Sequence, residues 1–181
     1  MKQITSRKSP LTFSDKEVSE TAIAEILQNA SWASSSYNNQ PWYFISVFRK
    51  EKKVFQAVLD TLVPANQEWA GSASCFIVNL ATSRYSNGKE NKFYTYELGM
   101  AVANYVTLAM DKGIYCHQMA GFSKDKLEKV IKIPAEYEII SISALGFLGD
   151  ESNLTGMLAE RANAPRERKK PEEYISKAIL R

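Results

Sequence analysis

Residues 33–42 read Ala-Ser-Ser-Ser-Tyr-Asn-Asn-Gln-Pro-Trp, and this stretch decides how the rest of the chain is interpreted. It places small hydroxyl and carboxamide side chains, which are uncharged donors and acceptors, between two apolar segments. Loops of this kind on a rigid scaffold often carry binding sites. The same composition is also typical of an ordinary turn after a helix, since Ser and Asn favour both. Composition alone therefore leaves both interpretations open.

Hydrophobic spacing on either side of this stretch predicts alternating helices and strands. A capping box at Ser14–Glu17 predicts the start of the first helix, and Pro64 predicts the end of the second. Two further helices are expected over residues 93–112 and from Ser123 through Ile131. Strands are expected at residues 42–48, 74–81, 114–119 and 138–148, a loop at 83–91, and a last helix or strand at 172–180. This order predicts an α+β or α/β sandwich.

Apolar residues cover nearly the whole circumference of the helix predicted over residues 93–112. A helix that is apolar all round must be buried on all sides. Two explanations remain open for a chain of 181 residues. The helix could lie in the middle of the core, or a partner subunit could cover one of its faces.

Length and composition indicate one domain spanning residues 1–181, with residues 150–181 as a polar C-terminal arm. No apolar run approaches the roughly 20 residues of a membrane span, and the first residues lack the apolar core of a secretory signal. We therefore expect a cytoplasmic protein without membrane contact. Cys75 and Cys116 form no CxxC pair and resemble buried free thiols, although the sequence does not exclude a disulfide between them.

The formal net charge of +3 is unevenly distributed. Residues 160–181 contain seven Lys or Arg and four Glu, so this tail carries the whole excess. A weakly basic tail suits either a small phosphate ligand or a solvated arm. It is too weak to indicate nucleic acid, for which a pronounced basic face is expected, and no stacking platform with flanking basic residues is present.

Several common catalytic patterns are absent from the sequence. His117 is the single histidine, and no G-x-S-x-G, G-x-G-x-x-G or G-x-x-x-x-G-K-[ST] motif occurs. No set of residues has the spacing of a metal site. We interpret His117 as a packed strand residue, with contact to a substrate as the alternative. An enzyme built on this chain would therefore depend on an organic cofactor for its chemistry.

Residues 33–42 resemble the Ala-Pro-Ser-x-x-Asn-x-Gln-Pro-Trp signature of the nitroreductase family, whose members are FMN-dependent NAD(P)H oxidoreductases. Ser34 stands where that family often has Pro. The remaining signature agrees best at four positions: Asn38, Gln40, Pro41 and Trp42.

Four further segments resemble the same family in the same order along the chain. Arg7–Phe13 is similar to the segment whose first basic residues hold the FMN phosphate, with Leu11 in place of a second basic residue that lies near the flavin N1/O2 edge. Glu97–Gly113 is similar to the helix of the dimer core, with Glu97 in place of Asp. The last two are Gln118–Phe122, similar to the turn at flavin N5 with Gln118 in place of Pro, and Pro165–Glu173, similar to the segment that returns to the phosphate.

The resemblance implies a nitroreductase-like α+β fold, an α/β/α sandwich with a mainly antiparallel sheet, assembled as an obligate homodimer. It implies FMN as cofactor, NADH or NADPH as electron donor, and nitroaromatic, quinone or related conjugated acceptors reduced by a ping-pong mechanism. Flavin N5 carries the chemistry, so no side chain is assigned as catalytic and no metal is expected. The residues implied to bind the cofactor are Arg7, Lys8, Ser9, Ser35, Ser36, Asn38, Gln40, Gln118, Met119, Ala120, Gly121, Arg168 and Lys169.

Two other functions share these flavin motifs. One is a flavin enzyme for a single substrate, of the dehalogenase or azoline oxidase type. The other is a flavin-binding protein without efficient turnover. The sequence does not separate them from a general reductase.

Overall fold

The computed structural model describes residues 2–178, and its elements follow the hydrophobic pattern of the sequence. The α-helices of this part of the chain are α1 Lys2–Ser6, α2 Glu20–Ala30, α3 Lys52–Leu59, α4 Pro64–Ala70, α5 Tyr94–Asp111, α6 Lys124–Val130 and α7 Gly156–Asn163. The strands are β1 Trp42–Phe48, β2 Cys75–Ala81, β3 Ile114–Met119 and β4 Glu138–Phe147. Short 3-10 turns lie at Ser36–Asn38, Glu151–Asn153 and Pro171–Glu173.

The four strands form one sheet in the order β1-β2-β4-β3, and every neighbouring pair is antiparallel. The prediction of a mainly antiparallel sheet is therefore confirmed. β2 and β4 occupy the middle of the sheet, and β2 is buried along its whole length. This explains why its sequence is apolar on both faces rather than alternating.

Helices cover both faces of the sheet. Alternate residues of β2 point to opposite sides, so Phe76 and Val78 pack in one core while Cys75 and Ile77 pack in the other. Buried residues of α3, α4 and α6 join the first core, and those of α2 and α5 join the second. The predicted α/β/α sandwich is confirmed.

The central helix α5 is only partly buried in the single chain. One face packs on the sheet and on α2, with Tyr105 fully buried at its centre. The opposite face leaves Tyr96 68% exposed, and Gly99 and Ala103 follow it on the same stripe of the helix. The first alternative, a helix in the middle of the core of one chain, is therefore wrong, and the second, a partner subunit on one face, stays a prediction.

The first predicted helix begins later than its apparent capping box. Its N-cap is Ser19, whose side chain accepts from the backbone N–H of Ala22 at 3.2 Å. Residues 13–18 are instead held against the sheet: Phe13 pairs with Leu148, and Val18 N–H donates to the Ser74 hydroxyl at 2.7 Å. These tertiary hydrogen bonds outweigh the local capping signal of residues 14–17.

Two helices of the structure were not predicted. The second predicted helix ends at Leu59, before Pro64 as expected, but Pro64 also begins the unpredicted helix α4. Proline suits the first turn of a helix because the N–H it lacks would have no intrahelical partner there. The arm contains the unpredicted helix α7 and a 3-10 turn at 171–173, and residues 174–178 are neither helix nor strand. Residues 179–181, part of the last predicted element, lie outside the described residues.

The two cysteines are free and buried. Cys75 and Cys116 both pair with Leu145 from opposite sides, so they lie two strands apart. Two strand spacings amount to roughly 10 Å, well beyond the Cα separation of a disulfide. The structure therefore excludes the disulfide that the sequence left open. Between residues 2 and 178, no helix is long and apolar enough to cross a membrane.

Candidate functional site

A cationic pocket of ≈ 330 Å³ forms where the N-terminal segment meets the C-terminal arm. The two segments are far apart in sequence, and both bring basic side chains to this place. The charged and polar residues that line it are Arg7, Lys8, Ser9, Glu151, Arg161, Arg166, Glu167 and Arg168. Five cations against two carboxylates leave an excess of positive charge, which suits a phosphate dianion.

Hydrogen bonds between the two segments build this pocket. Arg166 donates from Nη2 to the carbonyl of Thr5 at 3.3 Å and to the carbonyl of Arg7. Arg7 donates from Nη1 to the Ser9 hydroxyl at 3.4 Å, and Lys8 forms an ion pair with Glu151. Arg166 thus fastens the arm to the backbone of the N-terminal segment.

The structure brings four of the predicted phosphate-binding residues together: Arg7, Lys8, Ser9 and Arg168. Lys169 is exposed and is not among the residues that line the pocket. The resemblance to the family did not name Arg161 or Arg166 as cofactor-binding residues. The only indication of their role in the sequence was the excess of basic residues at positions 160–181.

The polar stretch from Ser35 to Gln40 forms a tight loop with its own hydrogen bonds. The Ser35 hydroxyl accepts from Gln40 N–H at 3.0 Å, and Gln40 Nε2 donates to Asn38 Oδ1 at 3.2 Å. Tyr37, Asn38 and Gln40 have φ angles of 55°, 53° and 48°. Residues other than glycine rarely adopt this region, which costs on the order of 1–3 kcal/mol each. Such a conformation persists only when surrounding contacts enforce it.

Glu97 ties this loop to the rest of the fold. Its Oε1 accepts from Ser36 N–H at 2.7 Å, and its Oε2 accepts from Asn91 Nδ2 at 2.8 Å, while the side chain is 2% exposed. Burial acts to raise the pKa of Glu97, but the hydrogen bonds from Ser36 and Asn91 outweigh it and hold that pKa below its usual value. The sequence showed Glu97 only as a variant of a motif position, without this role.

Asn39 links the same loop to the polar segment at residues 83–91. Its Oδ1 accepts from Ser86 N–H at 3.0 Å, and its Nδ2 donates to the carbonyl of Arg84 at 3.3 Å. The predicted surface loop therefore closes one side of the Ser35–Gln40 loop.

The turn after β3 is held against the start of α4. Gly121 accepts through its carbonyl from Val63 N–H at 3.0 Å and from Asn66 Nδ2 at 3.2 Å. A Cβ at Gly121 would lie 2.8 Å from Val63 Cγ2 and 3.0 Å from Asn66 Nδ2. Within the described residues, no acceptor is found for the N–H groups of Ala120 and Gly121. The turn thus presents unpaired backbone donors at a position where any Cβ would be crowded by Val63 and Asn66.

Of the other residues predicted at this turn, Gln118 is exposed and Met119 is buried in the core. The alternation follows from the strand, because successive side chains of β3 point to opposite faces. Only the side chain of Gln118 is therefore accessible from solvent, while Met119 can contribute only its backbone.

His117 is packed rather than exposed to a substrate pocket. Its Nδ1 lies 2.8 Å from the carbonyl oxygen of Pro10, and its ring stacks on Trp69 with centroids 4.2 Å apart. Burial lowers the pKa of His117, the hydrogen bond to Pro10 opposes this, and the nearby cations Arg161 and Arg7 lower it further. The imidazole thus connects the N-terminal segment to β3.

In one chain, the Ser35–Gln40 loop and the cationic pocket do not meet. Ser35 and Ser36 line a separate depression of ≈ 330 Å³ together with Phe93, Tyr96 and Glu97. None of these residues lines the cationic pocket. The predicted cofactor-binding residues therefore fall into three groups: those of the cationic pocket, those of the Ser35–Gln40 loop, and those of the turn at residues 118–121, which lines neither depression.

Comparison with known proteins finds relatives of similar sequence and fold. A protein of Archaeoglobus fulgidus named "Putative NADH dehydrogenase/NAD(P)H nitroreductase" is 28% identical over 160 residues, which are 84% of this chain and 87% of that protein. A crystal structure described as an oxidoreductase containing FMN has a TM-score of 0.90 and 26% identity, covering 100% of this chain and 92% of its own.

The fold also matches a nitroreductase family protein from Clostridium novyi NT, with a TM-score of 0.73 and 23% identity over 85% of this chain and 87% of that one. The family model described as "Nitroreductase family" matches residues 4–147. This range runs from the N-terminal basic segment through all four strands. The chain belongs to the nitroreductase family.

Proposed function

We propose that this chain is an FMN-dependent oxidoreductase that takes electrons from NADH or NADPH. The observation that carries the proposal is the cationic pocket built by Arg7, Lys8 and Arg168 from opposite ends of the chain. Its excess of positive charge fits the phosphate of FMN. The proposal is further supported by the FMN-containing oxidoreductase at 26% identity and by the named relative from A. fulgidus.

The residues present fit the remaining parts of FMN. Uncharged donors and acceptors on the Ser35–Gln40 loop suit the ring system and the ribityl chain, and the free N–H groups of Ala120 and Gly121 suit the ring edge. When bound, FMN would accept hydride at N5 and pass it to a nitroaromatic, quinone or related conjugated acceptor in a ping-pong cycle. The chain's own residues would bind and orient the cofactor, and no side chain is assigned as acid or base.

We further propose that two copies of the chain complete each site. The proposal is supported by the separation of the Ser35–Gln40 loop from the cationic pocket in one chain. It is also supported by exposed apolar residues around the Ser35–Gln40 loop, where Phe93 and Tyr96 are 61% and 68% exposed. A partner that covers the exposed stripe of α5 would bury this surface. Each chain would act as one domain, residues 1–181, with residues 150–181 as an arm, in the reducing cytoplasm where free thiols persist.

The test of the cofactor is the visible spectrum of the purified protein, followed by FMN titration and addition of NADH without oxygen. A flavin band that bleaches with NADH is the expected result. Protein that neither carries nor takes up FMN would overturn the proposal. Flavin that binds but is not reduced by NADH or NADPH would point to a binding protein rather than an enzyme.

Matched variants test the phosphate pocket. Lys8→Gln removes one cation from the pocket, whereas Lys53→Gln removes one from an exposed position on α3. A hydrogen bond to a charged group contributes about 1.5–3 kcal/mol, so Lys8→Gln is expected to weaken FMN binding about 10- to 100-fold. Equal effects of the two variants would show that the pocket does not hold the cofactor.

The test of the dimer is the mass of the protein in solution, measured by sedimentation over a range of concentrations. We expect two copies for the unmodified chain and one for Tyr96→Glu, which places a charge on the exposed stripe of α5. If the unmodified chain is monomeric while it binds FMN tightly, the shared site is wrong.

A further inference from the structure

Glu97 is a buried carboxylate without a cationic partner among the described residues. It lies in the first turn of α5, and its two oxygens accept from Ser36 N–H at 2.7 Å and Asn91 Nδ2 at 2.8 Å. A buried charge is costly unless hydrogen bonds compensate it, and a neutral side chain would avoid that cost. The position of Glu97 beside the Ser35–Gln40 loop therefore calls for an explanation beyond packing.

The loop needs an anchor outside itself. The hydrogen bonds among Ser35, Asn38 and Gln40 shape the loop but do not fix where it lies on the sheet. Contacts from the loop to other segments include the hydrogen bonds from Ser36 to Glu97 and from Asn39 to the segment at 83–91. The ring of Tyr37 also contacts that of Tyr85 edge-on, with centroids 5.8 Å apart. Three left-handed residues follow Ser36 within four positions, so the backbone conformation depends on how its start is held.

The orientation of the Asn91 amide explains why position 97 requires a carboxylate rather than a carboxamide. Its Oδ1 accepts from Phe93 N–H at 2.9 Å, which fixes the amide so that Nδ2 points to Glu97. The groups that face Glu97, namely Ser36 through its N–H and its hydroxyl and Asn91 through Nδ2, are then donors. A carboxamide at position 97 could accept from Ser36 or from Asn91 but not from both, and it would oppose its own NH₂ to the other.

We propose that Glu97 is a positioning residue for the cofactor, which holds the Ser35–Gln40 loop in the geometry that binds FMN by accepting from Ser36 and Asn91. This inference rests on the proposed FMN function. Glu97 itself would not touch FMN, but it would fix the position of the Ser35–Gln40 loop, whose residues would. FMN affinity is therefore expected to depend on the donor and acceptor pattern at positions 91 and 97.

The experiment compares the single variants Glu97→Gln and Asn91→Asp with the double variant that carries both. In Glu97→Gln, an NH₂ group at position 97 faces a donor, either Ser36 N–H or Asn91 Nδ2. In Asn91→Asp, the new carboxylate at position 91 faces the carboxylate of Glu97. In the double variant, the carboxylate at 91 accepts from the carboxamide at 97 and from Phe93 N–H, while the carbonyl oxygen at 97 still accepts from Ser36. Glu128→Gln, on the exposed face of α6, is the matched control.

FMN dissociation constants are measured at a temperature at which circular dichroism shows every variant to be folded. Each single variant is expected to bind FMN at least about tenfold more weakly, and the double variant and the control are expected to bind it as the unmodified chain does. Inorganic phosphate binding to the cationic pocket, measured by calorimetry, is expected to remain unchanged throughout. A role in stability alone would lower the melting temperature of the single variants but leave FMN affinity of the folded protein unchanged.

The outcomes separate the two proposals. If the unmodified chain fails to bind FMN, the proposed function and this inference both fall. If it binds FMN and the single variants bind it equally well, only the positioning role of Glu97 is overturned. Loss of phosphate binding in the same variants would also overturn it, because the defect would then be global.

Discussion

Substitution of Gly121 by alanine tests whether the turn after β3 is as closely packed as the structure indicates. The added Cβ would lie 2.8 Å from Val63 Cγ2 and 3.0 Å from Asn66 Nδ2. Carbon atoms pack best at about 3.5–4.0 Å, so the first contact would be about 0.7–1.2 Å too short. Valine is branched at Cβ and stiff at χ1, so its methyl group cannot simply rotate away.

The expected cost follows from this overlap. Overpacking a close contact destabilises a protein by about 1–3 kcal/mol, and 1 kcal/mol shifts the melting temperature of a chain of this length by about 2–4 °C. We therefore expect Gly121→Ala to lower the melting temperature by about 2–12 °C. The assay is thermal unfolding followed by circular dichroism, with urea unfolding at 25 °C as the independent measurement.

A second substitution identifies the clash as the cause. Val63→Ala removes both methyl groups that the new Cβ would approach, and Val63 is half-exposed, so this change alone is expected to cost no more than about 1 kcal/mol. In the double variant, part of the loss from Gly121→Ala is expected to be recovered, with a coupling of about 1 kcal/mol. Additive effects, or a Gly121→Ala variant as stable as the unmodified chain, would refute the reasoning.

Three further predictions concern buried groups. Tyr105→Phe leaves the buried Asn79 Oδ1 without the hydroxyl that donates to it at 3.0 Å. We therefore expect the free energy of unfolding, measured with urea, to fall by about 1–3 kcal/mol, and an unchanged value would contradict this prediction. Burial raises the pKa of Cys75 and Cys116 to about 12, so thiol reagents are expected to label the native protein only as fast as it unfolds. Burial lowers the pKa of His117, so its contribution to stability is complete above about pH 6.5 and is lost as the pH falls through the lowered pKa. The urea midpoint of the unmodified chain is therefore expected to decline between about pH 7 and pH 5.5, and His117→Phe is expected to weaken that decline. An unchanged decline in the variant would show that His117 is not its cause.

The strands were the most predictable part of the fold. Their bounds were predicted to within one residue, because runs of β-branched and aromatic residues are bounded by polar turns. The first helix was placed too early because Ser14–Glu17 satisfies a local capping pattern. Its backbone is used instead in contacts with the sheet, such as Val18 N–H to the Ser74 hydroxyl. A local motif carries no information about such partners.

The candidate site was predictable where its residues lie in a motif and not where the fold brings distant residues together. Arg7, Lys8 and Ser9 follow one another in sequence, so their grouping could be expected. Arg161 joins them only because α7 turns the arm back, and that helix was not predicted from its polar sequence. Glu97 could be seen as a motif variant, but its two hydrogen-bonding partners depend on how α5 packs beside the loop.

The fold explains why position 11 is a leucine, where the family motif has a basic residue. By resemblance to the family motif, Leu11 stands where a basic residue is expected, so the proposed site would carry one positive charge less. In the structure, Leu11 is 4% exposed and packs in the same core as Phe13 and Trp69. A charged side chain there would have to be buried without a partner, so this core and a cation at position 11 exclude each other. Under the proposed function, the cations of the pocket between the N-terminal segment and the arm would hold the FMN phosphate, so we expect docking of the arm to contribute to cofactor binding.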